Sequence, residues 1–350
     1  MAWLTGWSYR KSHIINDSAG SGTDYQVKVI VNYGAGVDSG ATVYVDGKCE
    51  TDFSDIRFTD DDGDTLLDYW MEDKTDSNNA VFWVEVADDL SSSPVTIYVY
   101  YGNNLVSTTS NGEDTFPFFD NFDTGSLDAT KWNENAGGSL AFAGSVVTVT
   151  GGVGTALEQL YAKVSGQFGS GYALRSYAKL EQTAGSYQFC LLGFCGTDGS
   201  FSSYVCNAFL HYHGGGYADS GSGLGESYEL FNIGHTSFNA WFTYEVRRYT
   251  TGTDFWADAV NPRTSPLDKN ESRSIALAVR DSEYQMECDW VAVRKFVASE
   301  PAHGAWGAEE ALIIGGDSSL YYYWSKPKLS NRNRLVLKNV KKFLEALTAT

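Results

Sequence analysis

The chain has 350 residues and a formal net charge of −19. Thirty-six glycines and 15% aromatic residues, with only six prolines and three methionines, favour many short strands joined by tight turns over a helical bundle. The acidic balance argues against a nucleic-acid-binding body, because such binding depends on Lys and Arg at phosphates. No run of 18 apolar residues occurs, which argues against a membrane-spanning helix.

Residues 1–105 are predicted to form a first β-sandwich. Segments 25–33, 41–47, 80–88 and 95–103 are strand-like, with apolar and polar residues in alternation, and this period of two buries one face of each strand. Strand-like sequence starts near Trp7, with no charged start, apolar core or cleavage site of a signal peptide. A surface-type module without a leader favours a virion component. The polar segment 106–115 lacks an apolar period and is predicted to be a linker.

A second and larger sandwich is predicted over residues 116–311. Its predicted strands are separated by glycine-rich breaks at a spacing typical of a jelly roll, and they are segments 145–151, 172–181, 186–195, 240–249, 274–281 and 286–296.

Residues 312–350 are predicted to be a basic tail that ends in a short amphipathic helix. Residues 313–350 carry a net charge of +5, against −24 for the first 312 residues. The helix presents an apolar face and a basic one, formed by Val336, Val340, Phe343 and Leu347 and by Lys338, Lys341 and Lys342, respectively. So short a helix is marginal alone, so we expect it to pack on a sister subunit or another virion protein. The alternatives are its own second sandwich and an anionic surface.

The five cysteines are too few and too irregular for a disulfide scaffold, and no zinc-type spacing occurs. The sequence predicts buried free thiols.

Five motifs in residues 3–104 closely resemble, in order, the domain-of-unknown-function family 2341 of archaeal and bacterial surface proteins. They are GWSYRKSHII, YQVKVIV, DIRFTDDDGDTLLDYW, VFWVEV and IYVYYGN. In that family a concanavalin-like or laminin-G-like lectin sandwich commonly follows. Here FFDNFDTGSLDATKW resembles the opening strand of laminarinase-type sandwiches, and CDWVAVRKF followed by EPAHGAWGAEE resembles the closing strand of lectin-like repeats.

The resemblance implies a test for catalysis and a metal site. Laminarinase-type enzymes carry an ExDxxE strand with two Glu about 5 Å apart, and the nearest string here, ESYELF, lacks the central Asp. No enzyme activity is therefore expected. Related sandwiches often hold a structural calcium, for which the resemblance implies Asp289 as a ligand. Asn121 stands where an acidic ligand is usual, and Asp120 and Asp123 could compensate for it. The alternative is that Asp289 ties down the opening strand through backbone N–H groups.

A glycine-rich loop over residues 213–225 is the predicted ligand-facing loop. His211, Tyr212, His213 and Tyr217 lie in or beside it, and aromatic faces with polar groups are what lectin-like sandwiches offer to sugars. The alternative is a surface loop without a ligand. His211 and His213 share one strand face, but no third metal ligand is visible nearby.

Taken together, the sequence predicts an all-β protein with two tandem β-sandwich domains and a short C-terminal amphipathic helix. The predicted function is that of a noncatalytic virion surface protein (a turret, fibre or decoration subunit) that adheres to a host glycan and forms a homo-oligomer or binds other virion proteins. The location is then the virion surface or the extracellular space, with no nucleic-acid partner and no membrane span. The alternatives are a cellular adhesin or carbohydrate-binding module, and a degenerate glycoside hydrolase.

Overall fold

A computed structural model describes residues 2–153, 157–163, 168–182, 189–195, 206–212, 215–220, 229–232, 240–258, 260–265, 272–282, 284–314 and 320–324. These residues form 25 strands and one helix of four residues, so the prediction of an all-β fold is confirmed. The first strands are β1 (Tyr9–Ile15), β2 (Tyr25–Asn32), β3 (Thr42–Tyr44), β4 (Arg57–Thr59), β5 (Tyr69–Thr75), β6 (Asn79–Val86) and β7 (Val95–Tyr101).

The helix and the strands of the larger sandwich follow. They are α1 (Gly112–Thr115), β8 (Phe118–Asp120), β9 (Trp132–Ala136), β10 (Ser139–Ala143), β11 (Val146–Thr150), β12 (Leu157–Ala162), β13 (Tyr172–Gln182), β14 (Phe189–Cys195), β15 (Cys206–Tyr212), β16 (Gly215–Ser220), β17 (Glu229–Asn232), β18 (Trp241–Tyr249), β19 (Gly252–Ala257), β20 (Val260–Ser265), β21 (Ser274–Arg280) and β22 (Tyr284–Lys295). The last strands are β23 (His303–Trp306), β24 (Glu310–Ile314) and β25 (Leu320–Trp324).

The first sandwich packs sheet A, in the order β25-β24-β1-β7-β4 with β23 beside β1, on sheet B, in the order β3-β2-β6-β5. Alternation explains its core: Val27, Val29 and Val31 of β2 point inward, together with Phe82 and Val84 of β6. Gln26 and Lys28 of β2 therefore lie on the other face of sheet B.

The second sandwich packs sheet C on sheet D around a larger apolar core. Sheet C has the order β10-β11-β22-β13-β18-β19-β20 with β8 beside β22, and sheet D has the order β17-β16-β15-β14-β21-β12-β9. The segments that resemble opening and closing strands are neighbours in sheet C, because β8 pairs with β22 with Asp120 opposite Val291.

A β-bulge in β22 decides which residues reach the space between the sandwiches. Tyr177 of β13 lies opposite Trp290 and Ala178 lies opposite Cys288, so Asp289 is the extra residue. Cys288 points into the core, and the inserted residue reverses the alternation, so Trp290 points outward. The bulge thereby turns Trp290, Ala292 and Arg294 toward sheet B.

The outer faces of sheets B and C pack against each other, so the described strands form four layers. Trp70 and Trp83 of sheet B lie in one buried cluster with Phe116, Phe119 and Trp290. Trp70 meets Trp290 and Phe119 edge to face, each with 4.9 Å between ring centroids. This aromatic cluster fixes the two sandwiches relative to each other.

The chain returns to the first sandwich after completing the second. His303–Trp306 and Glu310–Ile314 both pair with β1, whereas the sequence division grouped residues 303–311 with the second sandwich. The predicted linker is held on the first sandwich: Asn111 donates from its backbone N–H to the carbonyl of Tyr69 at 2.9 Å. The assignment of domain boundaries stays a prediction, and the predicted tail helix lies outside the described residues.

Candidate ligand-binding cleft between the sandwiches

Within the segment 213–225 that the sequence predicted as a loop, residues 215–220 instead form strand β16, paired with β15 and described in its backbone, and the other residues lie outside the described ranges. His211 and Tyr212 end β15, and Tyr217 lies on β16 opposite Leu210. His213 falls outside the described residues, as do the side chains of His211, Tyr212 and Tyr217. Their role in ligand binding stays a prediction.

The predicted calcium ligands lie where the opening strand meets β22. Asp120 is buried and accepts from the indole N–H of Trp132 at 2.6 Å and from the backbone N–H of Phe122 at 2.9 Å, and its burial raises its pKa. Asn121 donates to Asp123, and burial raises the pKa of Asp289. Asp120 therefore ties down its own strand, which is the role that the alternative assigned to Asp289.

Across the described ranges, no three His, Cys, Asp or Glu side chains converge closely enough to hold a metal ion. The calcium site stays a prediction.

Three cysteines bear out the expectation of buried free thiols, namely Cys49, Cys190 and Cys288. Cys195 lies directly opposite Cys206 in the pairing of β14 and β15.

In the described part of the chain, no helix is long and apolar enough to cross a membrane. The residues of the predicted assembly tail, 336–347, are not described.

A cleft of about 490 Å³ opens where the outer faces of sheets B and C diverge. Its volume lies in the range of small-ligand sites. Most of its lining is polar, and the side chains that carry the argument below are Lys28, Arg175, Glu245, Arg247, Trp256 and His303. Such a lining suits a hydroxyl-rich ligand better than an apolar one.

Strand pairing sets the positions of these side chains. On sheet B, Lys28 lies opposite Trp83. On sheet C, Arg175 lies opposite Glu245, which in turn lies opposite Trp256. These five residues therefore stand on the outer faces of regular strands, where neighbouring strands limit the movement of their side chains.

Glu245 is the centre of a buried ion cluster. It is 3% exposed and accepts from Arg294 at 2.6 Å, Arg175 at 3.0 Å and Arg247 at 3.1 Å. Two further carboxylates complete the cluster: Glu72 pairs with Arg175 at 2.6 Å and Glu300 pairs with Arg294 at 2.7 Å.

The cluster determines what Glu245 can do chemically. Burial by itself raises the pKa of Glu245, but Arg294, Arg175 and Arg247 together hold it far below its usual range. A glycosidase acid must keep its proton near neutral pH. Glu245 therefore cannot serve as a general acid, and its role in the cleft is to order three arginines.

Lys28 differs from the other cations of the cleft because, within the described residues, its Nζ has no hydrogen bond and no ion pair. It is half-buried on β2. Burial lowers its pKa, and Arg175 lowers it further. The charges that act on it most are Arg175 and Arg294 against Glu72 and Glu245. The four side chains pair with one another and not with Lys28.

His303 lies beside Lys28 at the start of β23. Its Nδ1 lies 2.8 Å from Nε2 of His13, which stacks on Trp306 with 3.7 Å between ring centroids. Burial lowers the pKa of His303, and the positive charge of Lys28 adds to the effect. The ring is therefore neutral at pH 7. In the part of the chain that the structure describes, its Nε2 makes no hydrogen bond.

Two tryptophans border the cleft in different ways. Trp83 is 5% exposed, with Arg294 over its ring at 5.2 Å and Arg175 at 5.6 Å, so it forms the floor. Trp256 is half-buried at the side and carries Arg247 over its ring at 4.6 Å. Trp256 is thus the aromatic side chain of the lining that a ligand can reach.

Sequence reasoning missed this cleft. Its residues come from β2, β6, β13, β18, β19, β22, β23 and the segment between β22 and β23, most of which are far apart along the chain. The signal that was present is the position of Trp83, a large aromatic residue that lies between Phe82 and Val84 at a strand position expected to face water.

Comparison with known proteins gives one family and a set of distant structures. Residues 52–135 match the model of a domain of unknown function, DUF2341. The matched segment runs from within the first sandwich into the start of the second. A search of curated proteins found no match.

The solved structures that the chain resembles include a pseudo β-1,3-glucanase and immunostimulatory antigen of Mycobacterium tuberculosis. The identity is 13% and the TM-score 0.40, over 53% of this chain and all of that one. A β-1,3-glucanase from Mycobacterium marinum matches at 16% identity and a TM-score of 0.36, over 51% and 98% of the two chains.

A structure from work on the endo-acting O-glycanases of human gut bacteria, which initiate mucin breakdown, matches at 14% identity and a TM-score of 0.41. The match covers 52% of this chain and all of that one. Likeness at these scores says nothing about what this chain binds or does, and the lectin-like assignment of the second sandwich stays a prediction.

Proposed function

We propose that this protein is a noncatalytic surface protein that binds a glycan in the cleft between its two sandwiches. The observation that carries the proposal is the cleft itself, with polar side chains held on strands and a half-buried Trp256 at one side. Proteins bind sugars through hydrogen bonds from polar and charged side chains, such as the planar guanidinium group of Arg, and through contact with aromatic faces. The ordered arginines and Trp256 supply both.

The absence of catalysis is part of the proposal. The carboxylates of the ion cluster are occupied: Glu245 by three arginines and Glu300 by both outer nitrogens of Arg294. A hydrolase needs one carboxylic acid and one free carboxylate on opposite sides of a glycosidic bond. A degenerate glycoside hydrolase remains the alternative, and sugar release from a polymer panel that one carboxylate substitution abolishes would establish it.

The test is glycan binding by the intact chain on a broad immobilised panel, with Trp256→Ala against a matched control. Trp241 is the control, because it is also half-buried and lies on the outer face of the same sheet but does not line the cleft. We expect Trp256→Ala to weaken binding roughly 5- to 100-fold, by analogy with the about 1–3 kcal/mol that a nucleic-acid base gains by stacking on an aromatic side chain. Equal loss with Trp241→Ala, or no binding by the wild type, contradicts the proposal.

The location of the protein is a further part of the proposal. We propose a virion surface subunit, whose assembly uses the basic tail, and a cellular adhesin is the alternative. Co-purification of the chain with particles supports the first placement, and recovery in a cell-envelope fraction free of particles supports the second. Sedimentation of the full chain beside one ending at Ser325 tests the tail, because an assembly role requires that truncation abolish the oligomer.

A further inference from the structure

We propose that the glycan bound in the cleft carries an acidic sugar, and that its anionic group is held by Lys28. This inference rests on the proposed function and adds the chemical class of the ligand. It starts from the one cation of the cleft that the described protein leaves without a counter-ion.

An unmatched lysine on the inner side of an interface is costly, because the charge loses part of its water without gaining a partner. Arg175 and Arg294 each have two carboxylate partners, so Glu72, Glu245 and Glu300 are already paired. The remaining carboxylate of the cleft, Asp258, accepts from the backbone N–H of Thr243. Within the described residues Lys28 has no ion pair of its own, although the charges of Glu72 and Glu245 act on it. An anionic ligand group would supply the missing counter-charge.

His303 supplies a second polar group at the same place. Both His303 and Lys28 line the cleft, the charge of Lys28 acts on the His303 ring, and Nδ1 of His303 lies 2.8 Å from Nε2 of His13. The neutral Nε2 faces no partner among the described residues. A charged lysine next to a neutral, oriented imidazole fits a group that combines an anion with neighbouring hydroxyls, as on an acidic sugar ring.

The charge of the whole chain restricts the ligand further. A net charge of −19 repels long polyanions, and only a short-range attraction inside the cleft opposes that repulsion. The structure therefore favours isolated acidic residues in an otherwise neutral saccharide over a continuous polyanion. Carboxylate and sulfate share the required chemistry, and the experiment separates them.

The test uses the full chain and matched saccharide pairs that differ in a single feature. The probes are sialyllactose and sulfated lactose against lactose, and glucuronoxylan against its carboxyl-reduced form. Affinities are measured for the wild type, Lys28→Met, Lys28→Arg and the control Lys74→Met. Lys74 is a suitable control because it lies on the same sheet but pairs with Asp76 at the surface, at 2.6 Å.

We expect wild-type protein to prefer at least one acidic probe over its neutral partner, and Lys28→Met to lose that preference, a fall of roughly 10- to 100-fold for a charged hydrogen bond. Lys28→Arg should retain part of the preference and Lys74→Met all of it. The pair that shows the preference identifies carboxylate or sulfate as the anion.

This inference is overturned, while the proposed function stands, if acidic and neutral partners bind equally. It is also overturned if Lys28→Met and Lys74→Met lose the same amount of binding. If no saccharide of the panel binds, the proposed function fails and this inference fails with it. A thermal unfolding curve for each variant confirms that binding is compared between folded proteins.

Discussion

Replacing Glu245 with Gln tests whether the buried ion cluster holds the outer face of sheet C together. The substitution keeps the shape of the side chain but leaves Arg175, Arg247 and Arg294 with two carboxylates instead of three. Arg175 and Arg294 keep Glu72 and Glu300, whereas Arg247 keeps only Glu300, at 4.0 Å. Breaking a buried pair costs about 3–5 kcal/mol, and these remaining partners place the loss near 3 kcal/mol.

The stabilisation by Glu245 should also depend on pH in a definite direction. Because the folded protein holds the pKa of Glu245 below its usual range, the stabilisation is complete above the unfolded-state pKa, near ~4.3, and is lost as the pH falls toward the folded-state value. The difference in unfolding free energy between wild type and Glu245→Gln should be constant from pH 6 to 8, and it should shrink below about pH 4.

The assay is denaturant unfolding followed by tryptophan fluorescence and circular dichroism, with Glu113→Gln as the control. Glu113 also pairs with a lysine at 2.6 Å, but its side chain is 62% exposed, so its loss should cost less than about 1 kcal/mol. The expected fall in melting temperature for Glu245→Gln is roughly 6–12 °C, at about 2–4 °C per kcal/mol for a domain of this size. If Glu245→Gln lowers the free energy of unfolding by less than about 1 kcal/mol at pH 7, the reasoning is refuted.

Three further predictions concern coupling, pH and reactivity. Trp70→Ala empties the centre of the aromatic cluster, so we expect a loss of about 3–5 kcal/mol and a split of the calorimetric transition into two; a single unshifted transition contradicts this. Burial raises the pKa of Glu85 to about 7, against a hydrogen bond from Gln26 that lowers it, so its ionisation destabilises the fold as the pH rises from about 4.5 to 7. Glu85→Gln should therefore be more stable than wild type at pH 8 but equal to it at pH 4, as urea titrations will show. Burial also raises the pKa of Cys49 to about 12, so thiol-labelling mass spectrometry should find it unmodified in native protein and modified in denaturant, and rapid native labelling would refute its burial.

The sequence predicted strands well where alternation is strong. Segments 25–33 and 80–88 coincide with β2 and β6, and segments 172–181 and 240–249 coincide with β13 and β18. In each, one face belongs to a single sandwich core, so the local pattern carries the information. The comparison of ESYELF with the ExDxxE pattern likewise used only neighbouring residues in the sequence and no long-range contact.

The cleft was not predictable from these patterns. Lys28, Arg175 and Glu245 occupy strand faces that alternation assigns to water, and they are buried only because a second sandwich covers them. The bulge at Asp289 is a further reason, since one inserted residue turns Arg294 from the expected core side to the cleft. Trp83, at an outward-facing strand position between Phe82 and Val84, was the available sign that this face is covered.

The pairing of β23 and β24 with β1 has a consequence for synthesis. The first sandwich receives these strands only after about 200 further residues, the stretch from Tyr101 to His303, have left the ribosome. At about 5–20 residues per second, the edge of β1 stays open on the nascent chain for roughly 10–40 s. An open edge of this kind invites pairing with other chains. A fragment that stops before His303 is therefore expected to aggregate during expression, whereas the chain through Ile314 closes its own edge.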